Sequence, residues 1–371
     1  MLVSAPHDRS DIKIAIICAL RVEADAVHRA LDRCWDDEGH KYGKAEHDTN
    51  FYTVGSVGQH NVVVVRLSGM GTIRSTDAAS NIRHSFPNIQ LALVVGVCGA
   101  VPTPPGQDIY LGDLVISSRV IQYNFGRQYP KGFQRKSAVD DNLAGASRQV
   151  LNFLSFLEQE RNNRKIRADL RSSLLELEDR KTALPYPGAE HDHLYDPAFI
   201  HKHNIRGTCA VCDMDGNIDC ELAIKQTCQE LGCSSAGCIV RYGRTAHSDD
   251  QQLKHMPEIH IGHVGTADTV MKSAQHRNQI ASNDAVIAFE MEGSGVSDQF
   301  PAIVVKGVCD YADSHKSKDW QPYAALIAAL GTKALLNLWT PTVPDRITKV
   351  LSSSGYAPDN SRSDLTNSRT S

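Results

Sequence analysis

The 371-residue sequence lacks several features that would place a protein in a specialised class. No apolar run reaches the roughly 18 residues that a membrane-spanning helix needs. The first eleven residues are polar and do not form a secretory signal. Basic residues are not in excess: 39 Lys and Arg against 43 Asp and Glu give a formal net charge of −4, which argues against a nucleic-acid binder. With 41% hydrophobic residues the chain has enough apolar content for a core. We therefore expect a soluble, cytoplasmic, globular protein with neither a membrane nor a nucleic-acid partner.

Ten cysteines are present, and without a secretory signal we expect reduced thiols rather than a disulfide framework. Cys18, Cys98 and Cys309 lie in or beside apolar runs and are typical of small core residues. Six others cluster in the middle of the chain, where Cys209 and Cys212 form a C-x-x-C motif preceded by four histidines. A structural zinc could use this pattern. Because no second cysteine pair follows at zinc-finger spacing, we favour ordinary thiols and surface histidines, and we assign no metal.

Apolar runs of strand length alternate with segments of helical periodicity over most of the chain. Residues 12–18 predict a strand, residues 20–31 a helix and residues 91–97 another buried strand. Residues 51–57 and 62–67 flank a polar turn and predict a β-hairpin. Alternating elements with buried apolar strands indicate an α/β fold whose sheet is largely covered.

The alternation lapses after Gln128 and resumes after about residue 256. We interpret residues 11–340 as one domain split by an insertion at about 128–256, because the elements on either side look like two halves of one sheet. Residues 1–10 are expected to be a flexible N-terminus. Residues 341–371 are rich in Ser, Asp, Asn and Arg and predict a disordered tail.

Four strand ends carry residues suited to chemistry. Glu23, Gly99, Glu292 and Asp310 each follow an apolar run closely. In open α/β sheets, ligands gather at the carboxyl ends of strands. Taken singly, an acid at a helix N-terminus is more often a cap than a catalyst, so only their combination points to a site.

Six stretches carry a family resemblance: IAIICALRVEADAV, SGMGTIRSTDAASNI, LALVVGVCGAVP, LGDLVISS, IAFEMEGSGV and VVKGVCDYADSHKSKDWQPYAA. They cover about residues 12–125 and 257–338 and resemble the nucleoside phosphorylase and nucleosidase superfamily, especially the methylthioadenosine/S-adenosylhomocysteine nucleosidase-like proteins of fungal type. The resemblance implies a three-layer α/β/α fold with a central mixed sheet, here with a long insertion. It also implies a homo-oligomer, and no cofactor is expected.

The resemblance also implies roles for the acidic residues. Asp310 would give a proton to purine N7, and Glu23 matches the position that activates water in the hydrolytic branch. Glu292 would hold the ribose 2′- and 3′-hydroxyls with Met291 packed beneath the sugar, while Glu290 would support the strand end. This chemistry requires a protonated Asp310, whereas Glu23 and Glu292 stay ionised.

Six further positions would contact the base or the ribose. Val97, Cys98 and Gly99 would lie along the base and the ribose. Val270 and Met271 would contact the base, and Trp320 would close over it.

The choice between hydrolysis and phosphorolysis depends on cations. Phosphorylases of this superfamily neutralise phosphate with Arg and Ser near the glycine turn, where this chain has Val94 and Val97. We therefore favour a purine nucleosidase acting on adenosine, guanosine, inosine or methylthioadenosine. Arg21, Arg74 or a neighbouring subunit's Arg could still rebuild a phosphate site.

Three alternatives stay open at this point. The first is a phosphate-dependent purine nucleoside phosphorylase. The second is a nucleoside-sensing domain without turnover, although pure binding would not need both Asp310 and Glu23. The third is a zinc-stapled interaction module within the insertion, which is compatible with any of the other functions.

Overall fold

The apolar runs of the sequence form the strands of one sheet in the computed structural model, which describes residues 3–130, 132–136, 147–179, 184–214, 220–233, 237–241 and 256–342. The strands are β1 (Ile14–Cys18), β2 (Arg33–Cys34), β3 (Tyr52–Val57), β4 (His60–Arg66), β5 (Leu91–Ala100), β6 (Leu114–Gln122), β7 (Gly126–Tyr129), β8 (Gly132–Arg135), β9 (Ile259–Thr266), β10 (Val286–Glu290) and β11 (Ala302–Asp310). The helices are α1 (Arg21–Ala30), α2 (Thr72–Ser85), α3 (Arg148–Glu158), α4 (Glu160–Asp179), α5 (Ala210–Met214), α6 (Ala274–Asp284), α7 (Gly293–Ser297) and α8 (Gln321–Leu336).

Nine of these strands form a mixed sheet in the order β10-β9-β6-β11-β5-β1-β4-β3-β2. The central strand β5 pairs in parallel with both β1 and β11. All of its residues except Val97 are buried, as expected for a parallel strand covered on both faces. The predicted hairpin is present as the antiparallel pair β3 and β4. The predicted α/β fold with a central mixed sheet is confirmed.

The sheet closes on itself at one end. Strand β10 pairs in parallel with β9 and also antiparallel with β5, through Ala288 opposite Ala100 and Phe289 opposite Gly99. Strands β5, β11, β6, β9 and β10 therefore form a closed ring of hydrogen-bonded neighbours. This closure brings the carboxyl end of β10 beside the carboxyl end of β5.

Helices cover the sheet. Helix α8 is buried along nearly its whole length and packs against α1, β5 and β11. Helix α2 packs on α7, which in turn lies on β5, β6 and β11. Because α8 is apolar on all sides, its stability derives from tertiary packing rather than from one amphipathic face.

The predicted insertion begins with the hairpin β7–β8 and the helices α3 and α4. Ile166, Leu170 and Leu174 of α4 are buried in the same core as the sheet, so this part of the insertion is integrated into the fold. In the described residues that follow, up to 241, the regular structure consists of a five-residue helix, α5, two short 3₁₀ helices and one isolated bridge between Tyr195 and Cys238.

The two ends of the chain differ in what the structure describes. We expected residues 1–10 to be flexible, but Val3 and Ala5 pack against the core and Asp8 caps a short 3₁₀ helix. The chain divides into the units Met1–Trp339 and Thr340–Ser371. The predicted disordered tail, 341–371, lies outside the described residues from 343 onward. Among the described helices, none has the length and apolar character needed to cross a membrane.

Candidate active site

A cavity of about 220 Å³ opens where β1, β5, β10 and β11 end. The parallel strands β1, β5 and β11 place their carboxyl ends at one edge, and the ring closure adds the end of β10. All but one of the site residues predicted from the sequence line this cavity. They are Glu23, Val97, Cys98, Gly99, Val270, Met271, Glu290, Met291, Glu292 and Asp310.

Glu23 is held in the first turn of α1. Its Oε2 accepts hydrogen bonds from the backbone N–H groups of Ala19 and Leu20, and its Oε1 accepts one from Val97, each at 2.8 Å. The side chain is buried, and burial raises the pKa of Glu23 above its ordinary value. Gly96 makes this approach possible, because a Cβ there would lie 2.0 Å from Oε1. The carboxylate is fixed in place while Oε1 keeps a lone pair free for a further donor.

Glu290 and Glu292 shape the turn that joins β10 to α7. Glu290 accepts from the backbone N–H groups of Glu292 and Gly293 at 2.9–3.0 Å, which matches its expected supporting role. Burial raises the pKa of Glu290. Glu292 Oε1 accepts from the Gly71 N–H at 3.2 Å, and Ser75 donates to the Glu292 carbonyl at 3.0 Å. These hydrogen bonds hold the backbone and the carboxylate of Glu292 in place at the edge of the cavity.

Lys306 is a buried cation that the sequence analysis missed. It lies on β11 with 1% of its surface exposed, and its Nζ is 3.4 Å from Glu292 Oε2. Burial alone would lower the pKa of Lys306, but attraction to Glu23, Glu292 and Glu290 outweighs it, and the net pKa is raised. The ammonium group of Lys306 therefore interacts with three buried carboxyl groups. In the sequence, a single lysine within a mostly apolar strand could have indicated this buried cation.

Lys316 corrects one expectation about Asp310. Its Nζ lies 2.6 Å from Asp310 Oδ1, which also accepts from the Ala312 N–H at 2.8 Å. Burial alone would raise the pKa of Asp310, but the Lys316 ammonium outweighs it and holds the pKa below its ordinary value. This direction is opposite to the one that the predicted protonated form of Asp310 requires. Among the described residues, the hydrogen-bond donor to the other oxygen, Oδ2, is the weak Cys309 thiol at 3.4 Å.

Gly99 allows Asp310 to sit against the end of β5. A Cβ at this position would lie 2.6 Å from Asp310 Oδ1. Cys309 and Cys98 are buried behind it, as predicted for core thiols, and the Cys309 thiol donates to the Cys98 carbonyl at 3.5 Å.

The remaining lining is apolar and suits a flat base. Met271 is buried and Val270 is half-exposed, while Phe289 packs edge-on against Tyr123 with ring centroids 5.5 Å apart. Phe289 and Thr269 line the cavity as well and were not predicted. Met291 borders the cavity beside Glu292, in keeping with its expected place.

Trp320 does not line the cavity. Its side chain is 2% exposed, packs edge-on against Tyr186 at 5.4 Å, and donates through Nε1 to the His191 carbonyl at 3.2 Å. The prediction that it closes over the base is corrected: the tryptophan begins helix α8 and belongs to the core. The neighbouring Gln321 lines the cavity instead.

The arginines considered for a phosphate site lie elsewhere. Arg21 is exposed and 3.4 Å from Asp25 on the surface of α1, and Arg74 donates to Ser68 at 3.0 Å. Val94 is buried within β5 and cannot contact an anion. Within the described part of the chain, Lys306 and Lys316 are the cations that pair with Glu292 and Asp310, while the buried Arg277 pairs with Asp313.

A second cavity of about 610 Å³ adjoins the first and shares Thr269, Val270 and Met271 with it. The insertion supplies part of its wall through His201 and Cys220. These two residues belong to two groups of imidazoles and thiols close enough together to hold metal ions. The C-x-x-C motif therefore has more partners in space than its spacing in the sequence indicated.

Three known proteins illustrate what this chain is similar to. It is 29% identical over 351 residues to a nucleotide-binding leucine-rich repeat (NLR)-like protein of Hyaloscypha variabilis, covering 92% of this chain. The chain spans about a third of that relative's length (31%). A solved 5′-methylthioadenosine/S-adenosylhomocysteine nucleosidase of Helicobacter pylori superposes with a TM-score of 0.50 at 14% identity, covering 89% of this chain and all of that one. Futalosine hydrolase of the same organism gives a TM-score of 0.49 at 15% identity, covering 89% and 99%.

The family model described as the phosphorylase superfamily matches residues 13–170, from β1 into α4. This match covers helix α1 with Glu23 and strand β5 with Gly99. Together with the fold, it confirms the resemblance seen in the sequence to the nucleoside phosphorylase and nucleosidase superfamily.

Proposed function

We propose that this protein is a purine nucleosidase, an N-ribosyl hydrolase that cleaves a purine ribonucleoside to free base and ribose. The observation that carries the proposal is the convergence of Glu23, Glu292 and Asp310 on one cavity. The carboxyl groups of Asp310 and Glu23 are suited to proton transfer, and that of Glu292 is suited to binding the sugar hydroxyls. The solved nucleosidase of the same fold, which is named for methylthioadenosine and S-adenosylhomocysteine, supports an N-glycosidic substrate.

Asp310 is the proposed general acid. Protonation of purine N7 lets the base leave in neutral form, and such catalysis contributes about 10²–10⁴-fold. Oδ1 is occupied by Lys316 and Ala312, so Oδ2 is the atom that faces the base. Because Lys316 favours the ionised carboxylate, Asp310 must take up a proton from solvent before it can donate one to N7.

Glu23 is the proposed general base for water. Its raised pKa brings its proton affinity closer to the operating pH, which favours proton abstraction. The three backbone N–H donors and Lys306 hold the ionised form in a fixed orientation. An acid and a base acting on either side of a sugar follow the logic of an inverting glycosidase.

Glu292 is the proposed ribose ligand. A carboxylate that accepts hydrogen bonds from the 2′- and 3′-hydroxyls binds more strongly as positive charge develops on the sugar. Lys306, 3.4 Å from Oε2, limits the negative charge that must be buried without a partner. Met291 and Phe289 provide apolar surface for sugar and base.

Hydrolysis is favoured over phosphorolysis by charge. A phosphate dianion beside Glu23 would meet a carboxylate, and the two nearby cations of the described residues are committed to Glu292 and Asp310. Water needs only the free lone pair of Glu23. The cavity is therefore better suited to a neutral nucleophile than to an anion.

The decisive experiment compares products with and without phosphate. Adenosine, guanosine, inosine and methylthioadenosine are incubated with the purified full chain in ¹⁸O-labelled water, and base, ribose and ribose 1-phosphate are quantified. We expect phosphate-independent base release with ¹⁸O in the ribose. Ribose 1-phosphate formed only when phosphate is present would overturn hydrolysis, and nucleoside binding without any product would point to sensing instead.

A further inference from the structure

The stretch of the insertion after α4 buries some of its cysteines and exposes several of its large apolar residues. Its small buried cluster consists of Cys212, Cys220, Ala223 and Leu231. Met214, by contrast, is 84% exposed. Segments that cannot bury enough apolar surface require a cross-link such as a disulfide or a structural metal. Because every described cysteine here is a free thiol, a bound metal is the cross-link to consider.

The first group of ligands has tetrahedral dimensions. His203 Nδ1 lies 3.5 Å from Cys212 Sγ and 3.8 Å from Cys220 Sγ, and the thiols of Cys209 and Cys220 are 3.9 Å apart. All four donor atoms lie within 4.8 Å of one another. Zinc bonds of about 2.3 Å to sulfur and about 2.0–2.1 Å to nitrogen give tetrahedral edges of about 3.8 and 3.6 Å. The four side chains already mark the corners of such a site.

The second group repeats this geometry around His201. Its Nδ1 lies 3.7 Å from Cys228 Sγ and 3.6 Å from Cys233 Sγ. Its Nε2 is 3.0 Å from the Gln226 carbonyl, which accepts a hydrogen bond from it. This bond leaves the lone pair on Nδ1, facing the two thiols, as is typical of a metal-binding histidine. The donor atoms of His201, Cys228 and Cys233 all lie within 4.8 Å of one another.

We propose that this part of the insertion binds two zinc ions. The first site consists of His203, Cys209, Cys212 and Cys220, and the second includes His201, Cys228 and Cys233. Thiolate and imidazole together select zinc over calcium or magnesium, which prefer oxygen. Four protein ligands at the first ion make that site structural rather than catalytic.

The second site is attached to the loop that follows Asp310. The His201 backbone N–H donates to Ser314 Oγ at 3.2 Å. The His315 ring stacks on Tyr195 with ring centroids 3.9 Å apart and lies 5.3 Å from the His201 ring. Lys316, the partner of Asp310, is the next residue along this loop. Zinc at the second site therefore positions the loop that carries Lys316.

Metal content tests the proposal independently of any activity. The full chain is purified without chelators. The number of zinc ions per chain is then measured by elemental mass spectrometry and by mass spectrometry of the intact protein. We expect two zinc ions in the wild type, one in Cys212→Ser, one in Cys228→Ser and two in the control Cys34→Ser, whose thiol lies on β2. Stepwise release of zinc by a mercurial reagent gives the same count on the wild type if a variant fails to fold.

Three results would overturn the proposal. The first is a wild type with fewer than two zinc ions after reconstitution with zinc alone. The second is a pair of cysteine variants that both retain two ions. The third is a disulfide between Cys209 and Cys220, or between Cys228 and Cys233, in freshly purified protein.

Discussion

Lys316 Nζ lies 2.6 Å from Asp310 Oδ1, so the expected general acid carries a cation on one of its two oxygens. The pairing lowers the pKa of a carboxyl group that burial alone would raise. It also contributes stability at neutral pH that is lost as the pH falls through the lowered pKa of Asp310. The acid is thus tuned by a residue six positions further along the chain.

Replacing Lys316 by Met should shift the pH dependence of turnover. Without the ammonium group the pKa of Asp310 rises, so the protonated acid persists to higher pH. We expect the limb on which kcat/KM falls with rising pH to move upward. Lys318→Met, an exposed neighbour, serves as the control. A limb that stays in place in the Lys316 variant would show that Asp310 is not the titrating acid.

Asp310→Asn should abolish most of the turnover while the protein stays folded. The amide cannot donate an acidic proton to N7, so base release should fall by about 10²–10⁴-fold. Asp319→Asn, an exposed acid on the same segment, should retain wild-type rates. Unchanged base release in the Asp310 variant would remove it from the mechanism.

Glu23→Gln should separate chemistry from binding. The amide occupies the same space but is a poor base, so kcat should fall by about 10²–10⁴-fold with little change in nucleoside affinity. Asp25→Asn, two residues along and paired with Arg21 at the surface, is the matched control. Glu23→Ala should in addition lower the free energy of unfolding by about 1–3 kcal/mol, because three backbone N–H groups lose their acceptor. Equal kcat in wild type and Glu23→Gln would contradict the role of base.

Lys306→Met should destabilise the protein in a pH-dependent way. Removing one partner of a buried ion pair costs about 3–5 kcal/mol. The pKa values of Glu23 and Glu290, already raised by burial, rise further without the lysine, so the loss of stability grows as the pH increases.

Urea unfolding at acidic and at neutral pH measures this effect. Lys333→Met, which breaks the more exposed pair with Asp32, should cost at most about 1 kcal/mol and should serve as the control. A Lys306 variant whose loss of stability is the same at both pH values would contradict the charge balance.

Much of the fold could be predicted because its signals are local. Apolar runs and helical periodicity identified β1, β5, α1 and the hairpin β3–β4 within a few residues. The predicted site residues converge because the carboxyl ends of parallel strands share one edge. Cytoplasmic location and homo-oligomeric assembly stay predictions.

The errors arose where partners are distant in sequence. Lys306 sits alone in an apolar strand, and its three carboxylates come from two other parts of the chain. The sequence predicted that Trp320 covers the base, whereas in the structure it is buried in the core at the start of α8. The thiols beyond the C-x-x-C motif come together only when the insertion folds, which spacing alone cannot reveal.

The hydrogen-bonded ring of β5, β11, β6, β9 and β10 has a consequence for how the protein becomes active. Glu23 and Gly99 are synthesised early, whereas Glu292 and Asp310 follow some 200 residues later. The residues that match the family model, 13–170, therefore contain one of these three carboxyl groups, that of Glu23, and two of the five strands of the ring, β5 and β6. Such long-range pairing forms late, so a growing chain on the ribosome would hold no working site until its last strand had joined the sheet.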